Sequence, residues 1–335
     1  MTQPVTLAGV IAGAGLIAWL GTGALIPLLR RRAVLDRPNE RSLHQVPVPR
    51  GGGIAVVGAM LLAWVALIGL GVLPRASMPV LVGAMLLAAV SWIDDLRGLP
   101  PAVRLAAQIV AIGLVLRAGM PAGAVFQGWL PPALDSFATA LLWVWFINLF
   151  NFMDGMDGLA GSEAAAIGLG LLLFAGFGVG QDPGLAALGA AIGAAAIGFL
   201  VWNRAPARIF LGDVGSVPVG YLLGFLLLDQ AGHGRWMIAL ILPLYFLADA
   251  TITLSRRLAR GERVWQAHRE HFYQRAAQRG HGHAAVVRRV IAANLALIGC
   301  GWAAENGWPI LGLIGAGIAV LLLLLWMMSA RSSAE

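Results

Sequence analysis

The sequence contains no lysine and one cysteine, and only 12% of its 335 residues are charged. The lone cysteine, Cys300, lies in an apolar run, which excludes an internal disulfide and any cysteine-based metal site. Internal repeats, low-complexity tails and a soluble domain are also missing, and the largest segment outside the apolar runs is residues 255–285. What remains is 59% hydrophobic, with a mean hydropathy of +0.81, a balance that excludes an ordinary water-soluble globule. Apolar stretches of about 20 residues read as membrane spans.

Eleven such spans are predicted, at 5–29, 54–73, 78–93, 102–117, 135–153, 162–179, 185–202, 217–232, 235–254, 286–304 and 308–328, giving an all-α polytopic membrane protein. The first span is not read as a cleaved signal, because no charge precedes its apolar core and Arg30, Arg31 and Arg32 follow it. All 23 basic residues are arginine, and all but Arg75, Arg117 and Arg235 fall on one side of this arrangement. The bias predicts an amino terminus outside and a carboxyl terminus in the cytoplasm. A pI near 11.0 invites a nucleic-acid partner, but arginines scattered through short loops are what orientation requires. Membrane lipids and nucleotide phosphates suit them better. Residues 1–335 then form one domain whose chemistry lies in cytoplasmic loops at 30–53, 94–101, 154–161, 203–216 and 255–285. The outer segment 118–134, with Pro121, Pro131 and Pro132, reads as irregular or as a short hairpin.

Carboxylates next to a bilayer are costly and call for a function. Asp94 and Asp95 close the third span, where adjacent acids repel unless a cation or arginine lies between them. They suit proton transfer or Mg2+, or equally a solvated loop start beside Arg97. Asn148, Asn151, Asp154 and Asp157 recur every three residues and form one polar stripe if the fifth span stays helical, with Gly155 and Gly158 permitting a turn. A stripe of amides and acids suits a metal or a nucleotide. In Phe210 to Ser216, glycines flank Asp213, so the amides and helix start could face a phosphate while Asp213 binds the metal bridging it. The first inner loop carries Arg41, His44 and Arg50 among prolines, and bidentate guanidinium contacts suit phosphates. In the last loop His268, Arg269 and His271 fit a diphosphate better than zinc, since no cysteine or clear fourth ligand converges with them.

Asp94-Asp95, Asn148-x-x-Asn151-x-x-Asp154-Gly-Met-Asp157-Gly, Phe210-x-Gly-Asp213-x-Gly-Ser and His268-Arg-Glu-His271 together resemble the signature loops of the polyprenyl-phosphate N-acetylhexosamine-1-phosphate transferases, in order along most of the chain. The resemblance implies transfer of a sugar-1-phosphate from a UDP-N-acetylhexosamine to undecaprenyl phosphate at the bacterial inner membrane. Mg2+ would be the cofactor, with Mn2+ able to replace it. Carried over by motif, Asp213 would be the main metal ligand and Asn151 a second. Asp94 and Asp95 would serve the lipid phosphate or the metal, with Asp154 beside them in the catalytic group. Asp157 and Phe210 would meet the uracil, Asn148 the substrate, and His268 with His271 the diphosphate. A homodimer is left open. The His-Arg-Glu-His loop and the eleven spans look more like the branch that starts O-antigen or other surface polysaccharides than like the phospho-MurNAc-pentapeptide transferases, which remain the nearer alternative. A proton-coupled transporter is the distant one, and its mark would be Asp249, inside a span, unless that acid is hydrogen-bonded to Thr251, Thr253 or a neighbouring helix.

Overall fold

The computed structural model describes residues 4–38, 46–120, 123–178, 181–263 and 268–329. Its helices are α1 (Pro4–Arg31), α2 (Gly53–Gly69), α3 (Met78–Arg97), α4 (Pro101–Ala118), α5 (Pro132–Phe152), α6 (Leu159–Phe177), α7 (Pro183–Asn203), α8 (Asp213–Gly232), α9 (Trp236–Ile241), α10 (Leu244–Ala259), α11 (Phe272–Gln278), α12 (His283–Glu305) and α13 (Pro309–Met328). Two-residue strands, β1 (Leu35–Asp36) and β2 (Val48–Pro49), pair antiparallel between α1 and α2.

Among the described residues nine helices are long and apolar enough to cross a membrane. Each of the eleven expected spans falls on helix, with two departures. The span expected at 54–73 is a 17-residue helix ending at Gly69. The one expected at 235–254 is broken into α9 and α10 at Pro243, whose ring lacks an N–H and cannot continue the helix. Between α4 and α5 the described residues, 119–120 and 123–131, are irregular and hung on Asp135, a buried carboxylate that accepts from the amides of Val125 and Phe126 at 3.1 and 2.8 Å.

At the centre lies α8, buried along nearly its whole length, while α1, α4, α12 and α13 bury a third or less of their apolar stretches. Helices apolar on every side reach this packing through small residues rather than through an amphipathic stripe. Gly168 of α6 packs against the backbone of Gly189 and Gly193 of α7, and Gly220 and Gly224 of α8 admit Ile147 and Trp143 of α5. The same device sets the site. A Cβ on Gly53 would collide with the backbone of Gly215, so only glycine lets the start of α2 lie against the first turn of α8.

Candidate active site

The segment that precedes α2 is sewn to the one that precedes α8. Phe210 N donates to Pro49 O at 2.8 Å, Gly51 N and Gly52 N donate to Phe210 O at 3.2 and 2.9 Å, and Gly53 N donates to Leu211 O at 2.8 Å. Gly212, at φ +76°, turns the chain into α8. This fixes Arg50 over the helix start, with one nitrogen, Nη2, 2.7 Å from both Asp95 Oδ1 and Asp213 Oδ1.

Asp95 comes from the end of α3 with its side chain fully buried, and accepts from Asp213 N at 3.0 Å and Val214 N at 2.9 Å. A carboxylate at a helix N-terminus is favoured by the unpaired amides and by the helix dipole. Those amides are therefore taken, and those of Gly215 and Ser216 bond to Gly212 O. The expectation that the start of α8 offers free amides to a phosphate is corrected: Asp95 fills that place, and α8 begins four residues before the expected 217. Ser216, inside the first turn, donates its hydroxyl to Asn151 Oδ1 at 2.6 Å, which brings the amide from α5 to the same point.

Asp94 faces the other side. Its Oδ1 accepts from Leu99 N at 2.5 Å and its Oδ2 lies 3.2 Å from Arg104 Nη1. Arg104, in the first turn of α4, also reaches within 3.7 Å of Asp213 Oδ2. In the sequence this residue passed as one more orienting arginine. Asp154 completes the group. Burial, then the charges of Asp213 and Asp95, push its carboxyl well above the usual range despite Arg50. Burial and mutual repulsion make these carboxyls costly to keep ionised together, and Arg50 and Arg104 offset part of that cost.

The polar stripe does not run as expected. The helix stops at Phe152, and Asp154 and Asp157 lie in the turn before α6, where Gly158 has φ +78°. Asn148 instead donates its amide to Gln108 of α4 at 2.7 Å. Asp157 Oδ2 accepts from Ala207 N at 3.1 Å and lies 3.3 Å from His283 Nδ1, so it ties the turn to the 203–212 segment beside Phe210. Arg41 and His44 lie outside the described residues.

The last loop reaches the same turn through α11, where the Tyr273 hydroxyl donates to Phe152 O at 3.1 Å. His268 and His271 lie ring to ring at 4.8 Å. Burial, then the charges of His271 and Arg257, push His268 down to about 4, so at neutral pH it is an uncharged hydrogen-bonding group rather than a cation for the diphosphate. Glu270 is bound by Arg260 at 2.6 Å and Arg275 at 3.0 Å, while Arg269 O accepts from Gln278. Asp249 takes the hydrogen-bonded alternative of its two expected readings: it accepts from Thr253 at 3.4 Å and holds this loop by His271 and two backbone amides.

A bundle of membrane-length helices with acids and arginines gathered at one end is an integral-membrane protein. The family model described as glycosyl transferase family 4 matches residues 77–231, which run from the start of α3 through Asp213. Decaprenyl-phosphate N-acetylglucosaminephosphotransferase of Mycolicibacterium smegmatis is 30% identical over 305 residues, 81% of this chain and 75% of its own. Phospho-N-acetylmuramoyl-pentapeptide-transferase of Synechococcus sp. (strain RCC307) is 30% identical over 279 residues, 76% and 73% of the two chains. The probable undecaprenyl-phosphate N-acetylglucosaminyl 1-phosphate transferase of Bacillus subtilis is 24% identical over 287 residues, 82% and 79%. The chain belongs to the polyprenyl-phosphate N-acetylhexosamine-1-phosphate transferase family.

Proposed function

We propose that this protein transfers N-acetylhexosamine-1-phosphate from a UDP-sugar to undecaprenyl phosphate, releasing UMP, at the cytoplasmic face of a bacterial inner membrane, as the first step of O-antigen or related surface-polysaccharide synthesis. The observation that carries the reading is the meeting of Asp94, Asp154 and Asp213 with Arg50 and Arg104 at the start of α8. A lipid phosphate is confined to the interface, so an enzyme joining it to a soluble nucleotide must hold its reactive groups at the ends of its spans. An apolar groove of about 520 Å³ beside the α9–α10 break, lined by Trp145, Phe146, Leu227, Leu228, Pro243 and Leu247, offers the kind of surface an isoprenoid chain needs.

Asp94, Asp154 and Asp213, with the Asn151 amide oxygen, offer oxygen donors only, the type that a hard divalent cation such as Mg2+, or Mn2+ in its place, prefers. Bound there, Mg2+ would neutralise charge on a diphosphate. Asp95 is excluded from that set by its two amides and Arg50, and serves to aim Asp213. Arg50 and Arg104 can turn from the carboxylates toward phosphate oxygens, which bidentate guanidinium geometry favours.

Purified protein with undecaprenyl phosphate, Mg2+ and a panel of UDP-sugars is expected to release UMP with a UDP-N-acetylhexosamine. UDP-N-acetylglucosamine is the first donor to test, because the M. smegmatis and B. subtilis relatives are named for that sugar. Release with UDP-MurNAc-pentapeptide alone would establish the alternative, which the Synechococcus relative keeps in play. The orientation has its own measurement. In a Cys300→Ala background, Arg97→Cys and Arg260→Cys should label only from the cytoplasm and Trp129→Cys only from outside; Arg97→Cys labelled from outside would reverse it.

A further inference from the structure

The acid cluster leaves one ionisable group of the same neighbourhood unassigned. Asp249, on α10, is fully buried. Its Oδ1 accepts from Phe272 N at 2.9 Å and lies 3.1 Å from His271 Nδ1, with the Thr253 hydroxyl at 3.4 Å. Its Oδ2 accepts from Tyr273 N at 3.2 Å and from the Tyr245 hydroxyl at 3.4 Å. A buried carboxylate surrounded by donors is an anchor, and it is joined here to a segment more than twenty residues further along the chain.

His271 is 2% exposed, stacked on Tyr273 at 5.7 Å and set against His268 on its other side. A carboxylate only accepts, so the nitrogen facing Asp249 carries a hydrogen and the ring is held by its Nδ1–H. An enclosed ring with that nitrogen engaged is poorly placed to grip a diphosphate. Its two neighbours are better placed: His268 is partly open, and the Tyr273 hydroxyl bonds to Phe152 O and packs on Gly155, one residue from Asp154.

We propose that Asp249 and His271 are positioning residues of the transfer reaction: the carboxylate fixes His271 and the first turn of α11, and through them sets His268 and the Asp154 turn at the site. The proposal rests on the transferase reading above. It differs from a direct substrate role for His271 in which atom matters, since only the Nδ1–H donor is needed.

Asparagine places an N–H donor where the Nδ1–H of histidine lies, whereas phenylalanine keeps the ring and loses the donor. With UDP-sugar and lipid acceptor varied, His271→Asn is expected to keep kcat within about fivefold of wild type, and His271→Phe to lose at least about 50-fold in kcat with KM changed by less than about threefold. Asp249→Asn should match His271→Phe. In 15N-histidine spectra of the wild type, the signal absent from His271→Asn should be that of a ring protonated at Nδ1, and it should change form in Asp249→Asn. If Asp249→Asn does not fold, the two His271 variants and the wild-type spectrum still decide. Equal losses in His271→Asn and His271→Phe, or a His271 ring unprotonated at Nδ1, would overturn the proposal and make His271 a substrate contact. A wild-type protein that releases no UMP overturns the transferase reading instead, and the spectrum then upholds or overturns the Asp249–His271 clasp on its own.

Discussion

Asp213→Asn is expected to lower kcat at least about 1000-fold, some 4 kcal/mol of transition-state stabilisation, with the fold intact. Asp213 is the first residue of α8, and its carboxylate points away from the helix amides toward Arg50 at 2.7 Å and Arg104 at 3.7 Å. An amide of the same size keeps the packing but removes one of the negative charges that a hard cation and the arginines answer to. The helix start does not depend on that charge, because Asp95 supplies the acceptors for the amides of 213 and 214. UMP release at saturating Mg2+ and the melting temperature should therefore part company, the first collapsing and the second staying within about 2 °C of wild type. A rate within about threefold of wild type at ordinary Mg2+ would end the assignment of Asp213 as the main ligand.

The contrast between Asp213 and Asp95 also shows how far the sequence could be read. Both acids stand out as carboxylates at the ends of apolar runs, and the structure does bring them together. Their division of labour depends on which way each side chain points, and that is set by the contact of Gly53 with Gly215 and by the backbone bonds from 49–53 to 210–211, none of which has a local signal. Arg50 was legible as a cation but not as a partner of these acids. Arg104 carried no signal beyond its charge, since an arginine at a span end is what orientation alone demands.

The asparagine stripe shows a different limit. A spacing of three residues drifts by about 60° per step on an α-helix, so Asn148 and Asn151 turn to different neighbours, Gln108 of α4 and Ser216 of α8. Where the helix ends is decided by the glycines that follow, and that removes Asp154 and Asp157 from the stripe. Asp249 was legible as a charge inside a span with Thr253 within reach, but not as the anchor of the last loop. Its partners, His271 and the amides of 272 and 273, are joined to it by packing, and the break at Pro243 that starts α10 was hidden in an otherwise continuous apolar run.

Lipid-free enzyme is expected to show no exchange of labelled UMP into UDP-sugar, whereas adding undecaprenyl phosphate should permit it. A polyprenyl phosphate is already an anionic oxygen nucleophile at neutral pH, so its oxygen can attack the phosphorus that bears the sugar directly. The new P–O bond to the lipid phosphate forms as the P–O bond to UMP breaks, and the electron pair leaves on UMP. An aspartyl-phosphate route would need a carboxylate free to attack. Asp94 is held on Oδ1 by the Leu99 amide and on Oδ2 by Arg104, and Asp95 has both oxygens engaged by amides and Arg50. Each is oriented for holding rather than for displacement, and a carboxylate attack would have to give up those bonds for a step the chemistry does not require. In the direct route UMP leaves only when the acceptor is in place, so exchange and turnover share one requirement. Exchange on rigorously delipidated protein at a rate comparable to turnover would sink the single displacement and make a covalent intermediate on Asp94 the better mechanism.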